Sequence, residues 1–347
     1  MAKILHIIPY DGVGGVESAA RSVGAVSDQT FELVIEFIFK NVTTGKGRWL
    51  TFIPWPLFSA AWRASRPDID VLVMSLWRSA IVGLIAKLLR PKVKLVAFLH
   101  NSKDAHLFDF LFTRLAVLFA TEVWADSSAT LNCRVPWIQK KSCRVISFVT
   151  RRFDITPEMH VKPSFIFWGR INKTKGLDRS LHLFAEIHKR HPEAHLQIIG
   201  PDGGSLLVVQ ALCASLGLRD VVRFSGVATH DEICDFARQA SFYLQTSNYE
   251  GMAMSVVESM QLGLVPVVTP VGEISSYCRH GENAIIVRSD EKAIQDVDDL
   301  LASNERYQVL RVNAIATWKD RPLYRDSFLA ACESVLDGAV TETRSDS

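Results

Sequence analysis

The sequence predicts an α/β fold built from two doubly wound parallel sheets, and three observations carry that reading. Short apolar runs alternate with helical stretches, as parallel strands covered on both faces require. The alternation runs from Lys3 to Val149 and restarts at Ser164, after a polar stretch, Thr150 to Pro163, that holds two prolines. The third observation is length: 347 residues supply material for two cores. Domains are therefore expected over 1–155 and 156–325, followed by a closing helix and polar tail over 326–347. Two such halves facing each other leave a cleft between their strand C-termini, where ligands bind.

In the first half, strands are expected at Lys3–Pro9, Phe31–Phe39, Asp70–Leu76, Leu95–Leu99, Glu122–Ala125 and Arg144–Val149. Helices fit at Val16–Val26, Ser79–Leu89 and His106–Ala120. In the second half, strands are expected at Ser164–Gly169, Leu196–Gly200, Val221–Ser225, Ser241–Thr246, Val265–Thr269 and Ala284–Val287. Helices fit at Leu177–Arg190, Leu206–Leu216, Asp231–Arg238 and Ser255–Leu262, with closing helices over Ser303–Leu336.

Composition excludes several classes. With 39 basic against 37 acidic residues, the net charge of +2 gives no case for a nucleic-acid binder. The six cysteines form no CxxC pair, so neither a disulfide framework nor a zinc site is indicated, which fits a reducing cytosol. The N-terminal apolar run ends at Pro9, too short for a signal peptide, and no apolar run reaches the length of a membrane span. A soluble or membrane-surface protein is expected.

The stretch Ser247–Pro270 organises the chain. It follows a buried-strand pattern, places Glu250 and Gly251 in a turn, continues as a helix to Leu262, and resumes as a strand at Val265. A strand-to-helix turn offers unpaired backbone N–H groups and a positive dipole end, which suit phosphate. Glu250 and Glu258, beside it, can accept hydrogen bonds from sugar hydroxyls. From these residues alone an equal reading stands, a surface acid and an N-terminal helix acid favoured by the dipole.

Further loops sit where ligands bind. Gly12-Val13-Gly14-Gly15-Val16-Glu17 resembles a dinucleotide loop for two glycines, but Glu17 in the third position repels a pyrophosphate; a plain tight turn competes. Arg170 and Lys175 leave a strand end on a turn closed by Gly176 and can reach an anion, against the reading of a solvated basic turn. The turn Ile199–Gly204 is flexible enough to line a cleft. His100 follows the strand Leu95–Leu99 directly, at a position equally suited to a capped structural histidine.

Taken in order, GGVE (14–17), GRINKTKG (169–176), IGPDG (199–203), VRFSGV (222–227) and EGMAMSVVE (250–258) resemble the blocks of the family 4, group 1 retaining glycosyltransferases. Glu250 and Glu258 match that family's E-x7-E motif. The resemblance implies the GT-B fold, two Rossmann-like domains facing across a cleft. It assigns Arg170 and Lys175 to the donor diphosphate, with Gly14, Gly15 and Gly169 close by, and Glu258 to the ribose. Glu250 and the backbone of Gly251, Met252, Ala253 and Met254 would hold the donor sugar, with His100 near it and Val227 near the base. Two departures stand out: Ala253 replaces a common second glycine, and the GENA run (281–284) carries Ala where Gly is usual. Neither removes a charge.

The implied reaction moves a sugar from a UDP- or GDP-linked donor to a saccharide or polyprenyl-linked saccharide, as in cell-surface polysaccharide assembly, with no cofactor. No DxD cluster stands in a suitable loop, so a metal-independent reaction is expected, in the cytoplasm or at the inner face of the plasma membrane. A GT-B sugar-nucleotide epimerase and a catalytically silent partner subunit are the alternatives. In such enzymes the N-terminal domain is expected to bind the acceptor. Its segment Trp49–Phe58 has two prolines and many aromatics, and reads as an irregular loop able to meet an anionic membrane, flanked by Arg48 and Arg63. His106–Ala120 reads instead as a core helix covering the sheet.

Overall fold

The computed structural model describes residues 1–12, 14–24, 26–27, 30–40, 54–137, 141–153 and 160–338. Its chain divides into two compact units, Met1–Arg151 with Pro322–Ser347, and Arg152–Arg321. The expected boundaries at 155 and 325 thus move to 151 and 321. The closing helix is not a separate piece but part of the first unit.

That unit runs β1 (Ala2–Tyr10), α1 (Gly15–Val23), β2 (Val26–Ser27), β3 (Phe31–Phe39), α2 (Trp55–Ala64), β4 (Val71–Ser75) and α3 (Leu76–Leu89). It continues as β5 (Lys94–Leu99), α4 (Leu107–Phe119), β6 (Glu122–Ala125), α5 (Ser128–Arg134) and β7 (Ser142–Val145). The sheet order is β2-β3-β1-β4-β5-β6-β7, and every pairing is parallel except that of β2 with β3. Ile4 of β1 stands between Leu33 of β3 and Val71 of β4 in register. β4 is buried at all five positions, which is why its run VLVMS lacks the alternation of a one-sided strand.

The second unit runs β8 (Ser164–Trp168), α6 (Leu177–Arg190), β9 (His195–Ile199), α7 (Leu206–Ser215), β10 (Val222–Phe224), α8 (His230–Ala237) and β11 (Phe242–Gln245). It closes with α9 (Met254–Gln261), β12 (Val265–Val268), α10 (Ile274–Tyr277), β13 (Ile285–Ile286), α11 (Asp290–Leu301) and α12 (Asn304–Lys319). Its strands lie in the order β10-β9-β8-β11-β12-β13, all parallel. The chain fills one side from β8 to β10, then crosses back and starts the other side at β11. The switch point is therefore between β8 and β11, where an open α/β sheet binds its ligands.

The last helix, α13 (Tyr324–Asp337), returns to the first unit. It packs on α1, and its Phe328 stacks on His6 at 5.1 Å and meets Trp124 edge-on at 5.4 Å. Aromatic burial of this kind explains why the chain's end belongs with its beginning.

Two expectations in the first unit are corrected. Pro54–Phe58 is not an irregular loop: α2 starts at Trp55 with Pro56 in its first turn, a place where proline's missing N–H costs nothing. Trp49 and Phe52 lie outside the described residues. α4 does cover the sheet, but through small side chains, Thr113, Ala116 and Val117, while most of its large apolar side chains point outward.

Candidate active site

The second unit's switch point gathers the predicted residues by bringing two loops together. After β8 the chain passes Gly169 and Arg170 and makes a short 3-10 turn, Lys173–Lys175, before α6. After β11 it passes Thr246 to Ala253 before α9. β8 and β11 are hydrogen-bonded neighbours, so both loops leave the same edge. They are then stitched: Asn248 N–H donates to the Thr174 carbonyl at 2.8 Å, Asn248 Nδ2 to the Lys173 carbonyl at 2.7 Å, and Thr246 Oγ1 to the Gly176 carbonyl at 2.7 Å. Gly176 has φ +59°, and a Cβ there would stand 2.0 Å from the Thr246 carbonyl oxygen. Only glycine allows this contact.

The stitching delivers Lys175 to Glu250. Lys175 Nζ donates to Glu250 Oε1 at 2.9 Å, with both side chains largely buried. The same oxygen accepts from Ser247 Oγ at 2.6 Å and from Gln245 Nε2 at 3.1 Å. Gln245 is itself oriented, because its Oε1 accepts from Tyr243 at 2.7 Å and from Ser255 at 3.0 Å. Burial holds the Tyr243 phenol proton well above the ordinary range, so it serves as a fixed donor. Sequence reading missed Gln245, Ser247 and Tyr243. Tyr243 and Gln245 are polar side chains inside an apolar strand pattern and Ser247 follows its end, and that was the available signal.

Glu258, about one turn into α9, accepts from Trp168 Nε1 at 2.9 Å. Both glutamates of the E-x7-E pair thus reach the β8 end, Glu250 through Lys175 and Glu258 through Trp168. Between them Gly251 and Met252 are tied back through their carbonyls, which accept from Glu273 N–H at 3.0 Å and Tyr277 Oη at 2.8 Å. Gly272 makes this approach possible, since a Cβ there would lie 2.2 Å from the Glu250 carbonyl oxygen. Ala253 caps α9 with φ +56° and ψ +64°, a left-handed conformation unfavourable to a residue with a Cβ.

Two helices start at this point, α6 after Gly176 and α9 after Ala253, and neither has a side-chain cap. By contrast, Thr229, Ser289 and Ser303 cap α8, α11 and α12. Uncapped N-termini beside a lysine favour an anion. Arg170 is half-buried with its stem against Gly203, whose Cβ would meet Arg170 Cγ at 2.6 Å. Asp202 has a structural role: its Oδ1 accepts from the N–H groups of Gly204, Ser205 and Leu206 at the start of α7, and the Leu206 bond leads in lowering its pKa. Val227 is exposed, on the loop beyond β10 whose Gly226 carbonyl accepts from Gly200 N–H.

Gly14, Gly15 and His100 belong to the first unit. Gly14 is the extended residue before α1 and Gly15 the helix's first residue. His100 directly follows β5, on the wall of a cavity of about 190 Å³ that Trp77, Phe98, Asn101 and Arg134 also line. It is no exposed general base. Its Nε2 lies 3.0 Å from Ser75 Oγ, which also bonds His6 Nε2 at 2.8 Å, and its buried Nδ1, 4.0 Å from Asp126 Oδ2, has no hydrogen-bond partner among the described residues. Burial drives the His100 pKa down to about 3, with His6 and Arg134 adding to the shift. Leu76 and Asn101, on the same wall, have φ of +68° and +71°. Strain of this kind marks a site the surrounding fold must hold in place.

Comparison with known proteins places this geometry. The family model of glycosyl transferases group 1 matches residues 150–317, which spans almost all of the second unit. An uncharacterized glycosyltransferase of Bacillus subtilis, YqgM, is 32% identical over 140 residues, covering 40% of this chain and 38% of that protein. The chain thus aligns with well under half the length of that relative. A GDP-mannose:cellobiosyl-diphosphopolyprenol alpha-mannosyltransferase of Xanthomonas oryzae is 26% identical over 319 residues, covering 83% of this chain and 84% of that one. Among solved structures, Anabaena HepE in complex with UDP and glucose superposes with a TM-score of 0.75 at 17% identity, covering 97% of this chain and all of that one. This last likeness shows the shared GT-B fold. Residues 150–317, just under half of the chain, thus match the group 1 glycosyl transferases, and the whole chain shares the GT-B fold.

Proposed function

We propose that the protein is a retaining, family 4 glycosyltransferase that moves a sugar from a UDP- or GDP-linked donor to a saccharide or lipid-linked saccharide. The observation that carries this is the Lys175–Glu250 pair at the switch point, beside the uncapped starts of α6 and α9. In this reading, the donor diphosphate takes Lys175, Arg170 and the helix N–H groups, which stabilise the charge that develops as the sugar leaves. Glu250, relieved of part of its contact with Lys175, orients the sugar hydroxyls, and Glu258 holds the ribose. These positive groups stand in for a cation, so the reaction is metal-independent.

HepE with UDP and glucose, and the Xanthomonas enzyme named for GDP-mannose and a diphosphopolyprenol acceptor, support a nucleotide-sugar donor and a lipid-linked acceptor in polysaccharide assembly. We place that reaction in the cytoplasm, at the inner face of the plasma membrane. The test is nucleotide release from a panel of UDP- and GDP-sugars, with and without saccharide and polyprenyl-linked acceptors, reading the product's anomeric configuration. Acceptor-dependent release with retention is expected. Epimerised donor without transfer, or no turnover of any donor, would overturn the proposal.

A further inference from the structure

Helix α4 turns a large apolar surface to solvent. Leu107, Phe108, Phe110, Leu111, Leu118 and Phe119 are each between 43% and 75% exposed. At 100° per residue they cover roughly half of the helix circumference. The helix has one acid, Asp109, which is buried and paired with Arg134 at 3.0 Å. Its one cation, Arg114, folds over the Phe110 ring at 3.7 Å and pairs with Asp104 at 3.1 Å. α2 and α4 both pack on α3, and α2 adds Trp55, Phe58 and Trp62, spaced three and four residues apart as one exposed stripe. Isolated exposed apolar residues need no explanation, whereas a concentration of this kind marks an interaction surface.

Charge selects the occupant. Residues 54–120, which carry these helices, hold nine Lys and Arg against four Asp and Glu, a net +5 in a chain of net +2. Cations also stand at both ends of α4: Lys103 is exposed just before it, and Lys141 donates to the carbonyls of Val117, Leu118 and Ala120 at its end. A second copy would bring the same sign of charge to the same face. An anionic lipid surface meets both features, taking up Trp, Phe and Leu side chains at the headgroup boundary and attracting the cations. No helix among the described residues is long and apolar enough to cross a membrane, so the contact would lie in the interface plane.

We infer that α4, with the exposed stripe of α2, docks on an anionic bilayer. This deepens the lipid-linked acceptor reading by naming the surface that meets the membrane, but its test needs neither donor nor acceptor. The full chain is floated with vesicles of phosphatidylglycerol and phosphatidylethanolamine, and separately with neutral phosphatidylcholine. The wild type is expected to float with the anionic vesicles and to be released by salt. Leu107→Ser, Leu111→Ser and Phe119→Ser combined should cut binding roughly tenfold or more while the unfolding midpoint stays near wild type. The single variant Leu111→Glu, at an exposed position, supplies the same readout if the triple variant fails to fold. A wild type that stays in the soluble fraction, or variants that float as the wild type does, would overturn the inference. So would a wild-type dimer that the variants convert to monomers without any vesicle binding.

Discussion

Lys175 Nζ stands 2.9 Å from Glu250 Oε1, so the cation assigned to the donor diphosphate is held by the carboxylate assigned to the donor sugar. With both side chains largely shielded from water, either partner left alone is a poorly solvated charge. Lys175→Ala and Glu250→Ala are each expected to lower stability by about 1–3 kcal/mol, and the double variant by less than the sum. Urea unfolding of the four proteins gives the coupling directly. Strict additivity would show that the pair does not form in solution.

Ala253 occupies a left-handed conformation with φ +56° at the start of α9. Replacing it by glycine removes the Cβ penalty, and Ala253→Gly is expected to stabilise the protein by about 1 kcal/mol despite glycine's freer unfolded chain. A rise in the thermal midpoint checks this. A fall would mean that the Cβ contributes packing worth more than the strain.

His6 and His100 are buried with pKa values lowered by desolvation to about 3, from 6.5. Below pH 6.5 the unfolded chain gains protons that the folded chain refuses, so stability falls as pH drops toward 3. By about pH 5 each histidine removes about 2 kcal/mol of stability relative to neutral pH. His100→Asn should make the pH dependence of unfolding shallower, whatever it does to stability at neutral pH. An unchanged slope would refute the neutral, buried imidazole.

Much of this was legible beforehand because it rests on local chemistry. The strand runs, the Glu250–Glu258 spacing and the placement of Arg170 and Lys175 after a strand all follow from periodicity and turn residues. Partner choice was not legible. Nothing in the sequence says that Lys175 meets Glu250, since that contact depends on β8 and β11 being neighbours although 73 residues separate Trp168 from Phe242 along the chain. The α4 orientation was misread for a related reason. Apolar residues surround that helix, so the pattern cannot say which side is buried, and the sheet selected the small residues. The start of α2, Trp55–Phe58, was misread because prolines break a helix interior but are accepted in a first turn.

The proposed metal independence rests on the lysine, arginine and helix N-termini assigned to the diphosphate, with no DxD cluster in a suitable loop. Excess EDTA is expected to leave initial transfer rates unchanged. Abolished activity that magnesium or manganese restores would count against the clamp.

Calorimetric titration of UDP and GDP into the wild type, Lys175→Ala and Arg170→Ala tests the diphosphate clamp most directly. Loss of one charge-assisted contact is worth about 1.5–3 kcal/mol, so each variant should bind its nucleotide at least about tenfold more weakly, with turnover falling by at least as much. Both variants binding and turning over as the wild type does, while remaining folded, would contradict it.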